Sequence, residues 1–361
     1  MIILILLWIL LILVGFIYIK YTNLFVKTST LAAVMAIGIM TRGVLSNYFT
    51  TGFDVYGEII VMINITLWLS FLFSLGMTIW KGKFRELHLK NPINRFGIGT
   101  WVAASSICGI LLYIYNDWFI PAMLISLVNF GFWLFYIIIS IVSFFEIHKT
   151  SSYHKVHGIV LLTTVSTQSI ILLLNTIYPE VPTYLNTGLL MIGFLFYCVG
   201  VYFIGKRYIR KSWSIKDDWN NTNCILHGAL SISGIACIVS GNVDPTIIVM
   251  VWMIVFAIYL LVETIEIIRL YSRLKHFGIK KGIFIYDVTQ WSRIFTFAMF
   301  DTFTFRLQTD ITIILHIRHF VLSFGIWLIL TLIVFEVFLS MRYIMQLHQA
   351  TYKSSVSDIS I

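Results

Sequence analysis

The sequence predicts an all-α integral membrane protein: ten helices in five parallel hairpins ranged round a common axis, with one extra transmembrane helix at the N-terminus. Three observations carry this. Of 361 residues, 59% are hydrophobic and only 11% charged, with a mean hydropathy of +0.91, too little charge to cover a soluble domain of this size. Apolar runs of about 18 or more residues recur from end to end, each long enough to cross roughly 30 Å of hydrocarbon, where backbone groups satisfy one another only in helices or closed barrels. The segments between these runs alternate in charge along the chain.

Eleven spans follow, at roughly 1–19, 28–46, 58–80, 97–115, 119–145, 157–177, 185–205, 224–241, 245–268, 290–307 and 319–343. The first lies where a signal peptide would, but it has no basic start and no small-residue cleavage site, so it reads as a membrane helix. Residues 1–27 form that helix and its linker, 28–345 the ten-helix domain, and 346–361 a short, polar, Ser-rich cytoplasmic tail expected to lack structure of its own.

Nearly all Lys and Arg sit in short connections: Lys81 to Arg95, Lys206 to Lys216 and Arg269 to Lys281, joined by His148 to His157. The opposite set carries Asp54, Glu58, Asp117, Glu180, Asp244 and Asp310. Basic connections stay in the cytoplasm. The expectation is a multi-pass cell-membrane protein with its N-terminus outside and its C-terminus inside. The formal charge of +9 is thereby accounted for, and no basic patch remains for nucleic acid.

Inner and outer helices separate by composition. Helix starts near Thr28, Phe96, His157, Cys224 and Gln290 set a repeat of roughly 60–70 residues, and parallel repeats in a membrane pack about an axis along its normal. First helices are rich in small and hydroxyl residues: TLAAVMAIGIMTRG, FGIGTWVAASSICG, HGIVLLTTVSTQS, CILHGALSISGIAC and FTFAMFDTFTF. Second helices are bulky, as in LWLSFLF, FGFWLFY, VWMIVFAIYLL and FGIWLIL. Small residues suit close packing, and hydroxyls bond either across helices or to a solute. The hydroxyls of Thr100, Thr164, Thr167, Ser231, Ser233 and Thr296 are the candidates for a lining.

Four phrases, in order and each on a first helix or leading into one, carry a resemblance. LAAVMAIGIM resembles FALVMATGIV; VSTQSI, Val165 to Ile170, resembles ATQSL; DDWNNTNCILHGALSISGIA resembles PYWINMGAVAITTLAG; and YDVTQWSRIFTFAMFDTFTFRL, Tyr286 to Leu307, resembles YDPALWGLVFPLGMYTVATFRL. These are phrases of the tellurite-resistance/dicarboxylate transporter family, which includes the slow-type anion channels of plant guard cells. The resemblance implies a five-fold pseudosymmetric bundle around a central pore, often a homotrimer, that passes a small anion: a C4-dicarboxylate, a halide or an inorganic oxyanion. It also implies a phenylalanine plug, which falls on Phe295. The Pro and Gly beside that phenylalanine in the family phrase are Thr296 and Ala298 here, and the Thr of the opening phrase is Ile37.

Charges inside the bundle require a reason, since each costs about 2.5–3.5 kcal/mol even on lenient scales. Arg42, near the outer end of the first inner helix, is a candidate anion site. Asp301, half-way along the last inner helix, is a candidate partner for Arg42 or a proton carrier. Arg306, in the matched Phe-Arg-Leu ending, either steers anions or anchors at the interface. Arg293 is expected to snorkel, and Glu263 and Glu266 to pair with Arg269 on one helix. The sequence holds no HExxH, no GxSxG and no paired carboxylates at catalytic spacing, so no catalytic residue is expected; a membrane-embedded enzyme or a non-transporting anchor is the rival reading. The spacing of the four cysteines and of the histidines completes no metal site, and no cofactor is expected.

Overall fold

The computed structural model describes residues 2–49, 53–209 and 213–357. Eleven long helices follow in order. The N-terminal α1 is Ile2–Thr22. The first hairpin is α2, Ala32–Ile39 with a π-helical continuation Met40–Leu45 and a last turn Ser46–Tyr48, then α3, Phe53–Trp80. The second is α4, Gly99–Asn116, and α5, Phe119–Lys149; the third is α6, Leu162–Ile177, and α7, Thr183–Ile209. The fourth is α8, Ile225–Ser240, and α9, Pro245–Gly282, broken at Gly278. The fifth is α10, Gln290–Arg306, and α11, Thr312–Ser357.

Among the described residues, eight helices are long and apolar enough to cross a membrane. Two of the expected spans fall short for local reasons: α2 changes to π winding after Ile39, and α10 has 17 residues with Arg293, Asp301 and Arg306 among them. Two helices are longer than expected. α9 runs beyond 268, and α11 continues to Ser357, where the sequence suggested an unstructured tail.

The first helices of the hairpins close a ring. α2 packs on α4, α4 on α6, α6 on α8, α8 on α10, and α10 back on α2. The outer helices sit over the seams: α3 against α2 and α4, α5 against α4 and α6, α7 against α6 and α8, α9 against α8 and α10. α11 covers α10 and the π segment, and α1 packs outside the ring on α3. Burial divides accordingly: 78–83% of the central window is buried in the spans containing α4, α6 and α8, against 22–39% in the outer ones. Small residues earned the inner positions by permitting close approach. A β-carbon on Gly228 of α8 would collide with Thr296 of α10, and one on Gly234 with the Phe303 ring.

Outer aromatics bond inward in a repeated way. The indoles of Trp68 on α3, Trp133 on α5 and Trp252 on α9 donate to Ser105 (3.1 Å), Thr167 (3.1 Å) and Thr304 (3.0 Å), each on the first helix of the next hairpin. On α7 the Tyr197 hydroxyl takes that place, donating to the Leu226 carbonyl of α8 at 3.0 Å. Each bond contributes about 1 kcal/mol, and the repetition fixes the register of hairpin on hairpin.

At the basic end of the bundle the helix starts are tied together. The Thr28 hydroxyl shares a hydrogen bond with His88 Nδ1 (2.9 Å) and accepts from Asn94 (2.8 Å), while its carbonyl accepts from the Trp101 indole (2.6 Å). His157 Nδ1 meets the Thr222 hydroxyl at 2.6 Å, Asn223 Oδ1 accepts from the Gly158 amide at 2.9 Å, and Asn221 donates to Thr289 at 3.0 Å. The recurring His-Gly pairs thus belong to the joints between repeats at His157 and to helix packing at Gly228.

Candidate functional site

All five inner helices contribute to one small central cavity. Its wall is Met35 and Ile39 of α2, Ala103, Ser106, Ile107 and Ile110 of α4, Ser169 and Leu172 of α6, Ile232 of α8, and Phe295 and Met299 of α10. The spacing explains the set. Residues four apart share a helix face, as do i, i+3, i+4 and i+7, so each helix turns one stripe to the axis.

The cavity measures about 40 Å³, room for about one water molecule. Phe295 is buried in its wall at 3% exposure, one turn from Met299. The wall is apolar except for two hydroxyls, Ser106 and Ser169, which lie 3.0 Å apart. Ser169 donates to the Ser166 carbonyl (2.7 Å), and the single Ser106 proton is shared between Ser169 and the Val102 carbonyl (3.1 Å), while Ser106 accepts from Asn129 on α5 (3.0 Å).

The six candidate lining hydroxyls are buried elsewhere. Thr100 donates to the Gly97 carbonyl at 2.8 Å in the first turn of its span. Thr164 donates to the Gly193 carbonyl of α7 at 3.1 Å, and Thr167 accepts from Trp133 of α5, so both face outer helices. Ser231 and Ser233 flank Ile232 and donate to the carbonyls of His227 and Ala229, both at 2.8 Å. Thr296 donates to the Arg293 carbonyl at 3.0 Å and packs on Gly228. Hydroxyl content marks a helix as inner without saying which of its hydroxyls, here Ser106 and Ser169, turns to the axis. At about 100° per residue, Thr167 lies roughly 200° round α6 from Ser169.

The charged candidates group differently from the sequence expectation. Among the described residues no ion pair joins Arg42 to Asp301. Asp301 is buried between α10, the last turn of α2 and α11: its Oδ1 accepts from the Tyr48 hydroxyl at 3.2 Å, that hydroxyl also reaches the Leu322 carbonyl at 2.6 Å, and Gly325 leaves the space the carboxylate fills. Asp301 Oδ2 has no hydrogen-bond partner. Arg42 instead lies within electrostatic reach of Arg306. Beside Arg306 a hollow of about 550 Å³ opens at the acidic end, also lined by Gln308, Asp310 and Arg318.

At the basic end Arg293 does not snorkel. It crosses from α10 to Glu266 of α9 at 2.8 Å. Glu266 also takes the expected bond from Arg269 one turn on, at 3.3 Å, and accepts from the Trp219 indole at 2.9 Å. Glu263, lining the same basic-end cavity as Glu266, lies 3.7 Å from the buried His227. A guanidinium with a carboxylate in reach gains more from pairing than from stretching to water.

The five-hairpin ring thus encloses a narrow apolar centre, and the described residues hold no cluster of three metal-ligating side chains. A search of curated proteins finds no match to the chain. The sequence profile described as voltage-dependent anion channel matches residues 26–341, from the strand of linker before α2 into the body of α11. On that match, which covers all five hairpins, this multi-pass membrane protein belongs to the voltage-dependent anion channel family, whose members transport anions across membranes.

Proposed function

We propose that the chain conducts a small anion along the axis of the inner ring, and that Phe295 is the plug that closes it. The observation behind this reading is the central cavity itself: five helices meet there, and an aromatic ring sits in a wall with room for about one water. A lining this apolar lets no hydrated ion pass, so conduction requires the ring of Phe295 to rotate aside and the Ser106 and Ser169 hydroxyls to donate to the anion in place of water it sheds. Arg42 and Arg306 then act as a cationic collar that raises the local anion concentration at the acidic-end mouth. That mouth faces outside and the basic end faces the cytoplasm, in accord with the charge alternation. Dicarboxylates, halides and inorganic oxyanions are the candidate solutes. The protein works as a homotrimer, as the family resemblance suggests.

The test is flux of a panel of these anions into liposomes at two external pH values. Phe295→Ala should raise the flux of at least one anion roughly tenfold or more by removing the constriction. Unchanged flux for every anion removes the gate. In the same assay Asp301→Asn distinguishes channel from coupled carrier: loss of pH dependence identifies Asp301 as the proton-carrying group, and an unchanged profile leaves it with the structural bond to Tyr48.

A further inference from the structure

At the basic end, between α9, α10 and α11, two cavities of about 190 and 160 Å³ meet around one side chain. They share Leu270, Gly282, Ile283, Gln290 and Arg293, so they are adjoining compartments of one cleft. Leu270 lies 25 residues along α9 from Pro245, about 38 Å at 1.5 Å per residue, which puts the cleft at headgroup depth on that side of the bilayer.

The first compartment is lined by the guanidiniums of Arg269, Arg273 and Arg293 and by the carboxylates of Glu263, Glu266 and Asp287, and their pairing is uneven. Glu266 is shared by Arg293, Arg269 and Trp219, and Asn221 takes Arg269 Nη1. Left over are Arg273, which makes no ion pair among the described residues, and the Nε atoms of Arg269, Arg273 and Arg293, none with a hydrogen-bond partner. In the other compartment Glu336 of α11 is 3% exposed with Oε1 unpartnered. A guanidinium at the rim without an ion pair and a buried carboxylate without a partner, in one cleft, are left for an occupant that brings the complementary charges.

The lips of the cleft are apolar and face lipid. Ile267 is 68% exposed and Ile285 50%, and both line the first compartment, while Leu332 and Phe335 line the second. A polar floor under apolar lips suits an amphiphile whose head carries an anion and an N–H cation. We propose that this cleft binds a phospholipid with a phosphoethanolamine head, the phosphate taken by Arg273 and the free Nε groups, the primary ammonium donating to Glu336. A trimethylammonium head has the same charge but no N–H to donate.

The full-length protein in mild detergent, offered diacyl phosphatidylethanolamine, phosphatidylcholine or phosphatidylglycerol of equal chain length, tests this by native mass spectrometry. The ethanolamine lipid should be retained about five times better than the choline lipid. Glu336→Gln should abolish that preference while keeping retention, and Arg273→Ala should lower retention of both zwitterionic lipids. Arg273→Lys should recover part of it, and unchanged melting temperatures show that these variants are folded. Equal retention of ethanolamine and choline lipids, preference for phosphatidylglycerol, or a preference that survives Glu336→Gln overturns the proposal. So does displacement of the lipid by soluble O-phosphoethanolamine at equal concentration, which would make the ligand a free solute.

Discussion

Ser106 and Ser169 meet at 3.0 Å across the α4–α6 seam. They are the hydroxyl side chains in the wall of the central cavity among the described residues. Ser169 donates to its own helix and Ser106 shares its one proton between Ser169 and its own helix, so removing one hydroxyl should cost about 1 kcal/mol. A double-mutant cycle of Ser106→Ala and Ser169→Ala, followed by unfolding in detergent, should show coupling of about 0.5–1 kcal/mol. In a Phe295→Ala background the doubly substituted wall should carry less anion, because a fully apolar constriction dewets. Strict additivity would mean that the two hydroxyls do not interact.

Gly228 should tolerate no side chain. Gly228→Ala places a β-carbon against Thr296 on α10, and overpacking of this kind costs roughly 1–3 kcal/mol. The melting temperature should fall, and Thr296→Ala in the same chain should recover part of the loss by removing the nearest methyl. A variant as stable as the parent would mean that α8 and α10 are less tightly seated than described.

The buried ion network should respond far more strongly than the peripheral one. Glu266→Gln leaves Arg293 and Arg269 sharing no carboxylate, a loss of about 3–5 kcal/mol. The Arg95–Glu146 bond is shorter, at 2.6 Å, but Glu146 is 39% exposed, and Glu146→Gln should cost about 0–1 kcal/mol. Comparison of the two unfolding curves checks the ordering, and equal losses would contradict it.

Two histidines of the basic-end joints set an acid limit on stability. Burial pushes His88 down from 6.5 to about 4, and burial together with the nearby Arg207 guanidinium pushes His157 to about 3. Both are neutral in the fold at a pH where the unfolded chain binds a proton. Their contribution is therefore complete above pH 6.5 and is lost as pH falls toward about 4 for His88 and about 3 for His157, because the unfolded state binds more protons in that window. The slope of stability against pH between 6.5 and 4 should flatten in His88→Gln. An identical slope would remove His88 from the account.

The architecture was largely legible in the sequence, for a physical reason. Lipid forces every apolar run into a helix, and charge in the connections sorts the two ends, so hairpin order needed no contact information. The inner identity of α4, α6 and α8 followed from small residues alone. The site was less legible because it depends on angle and on neighbours. Phe295 was found through the phrase around it, whereas Ser106 and Ser169 required knowing which stripe of each helix turns inward. The sequence offers Asp301 as a partner for Arg42 or a proton carrier, whereas Tyr48 and the gap at Gly325 decide where its carboxylate rests. Arg293 read as an interfacial cation because its partner Glu266 lies on another hairpin element.

The π-helical stretch Met40–Leu45 has a mechanical consequence. A π turn holds one residue more than an α turn needs. If that stretch rewound as α-helix, everything beyond it would swivel by about 100° relative to Ala32–Ile39. Tyr48 would be carried away from Asp301 and Leu322, while the far end of the same helix stayed anchored beside Thr28. The first inner helix thus stores a single residue of slack, so that one half of it can turn like a key while the other half remains in the lock.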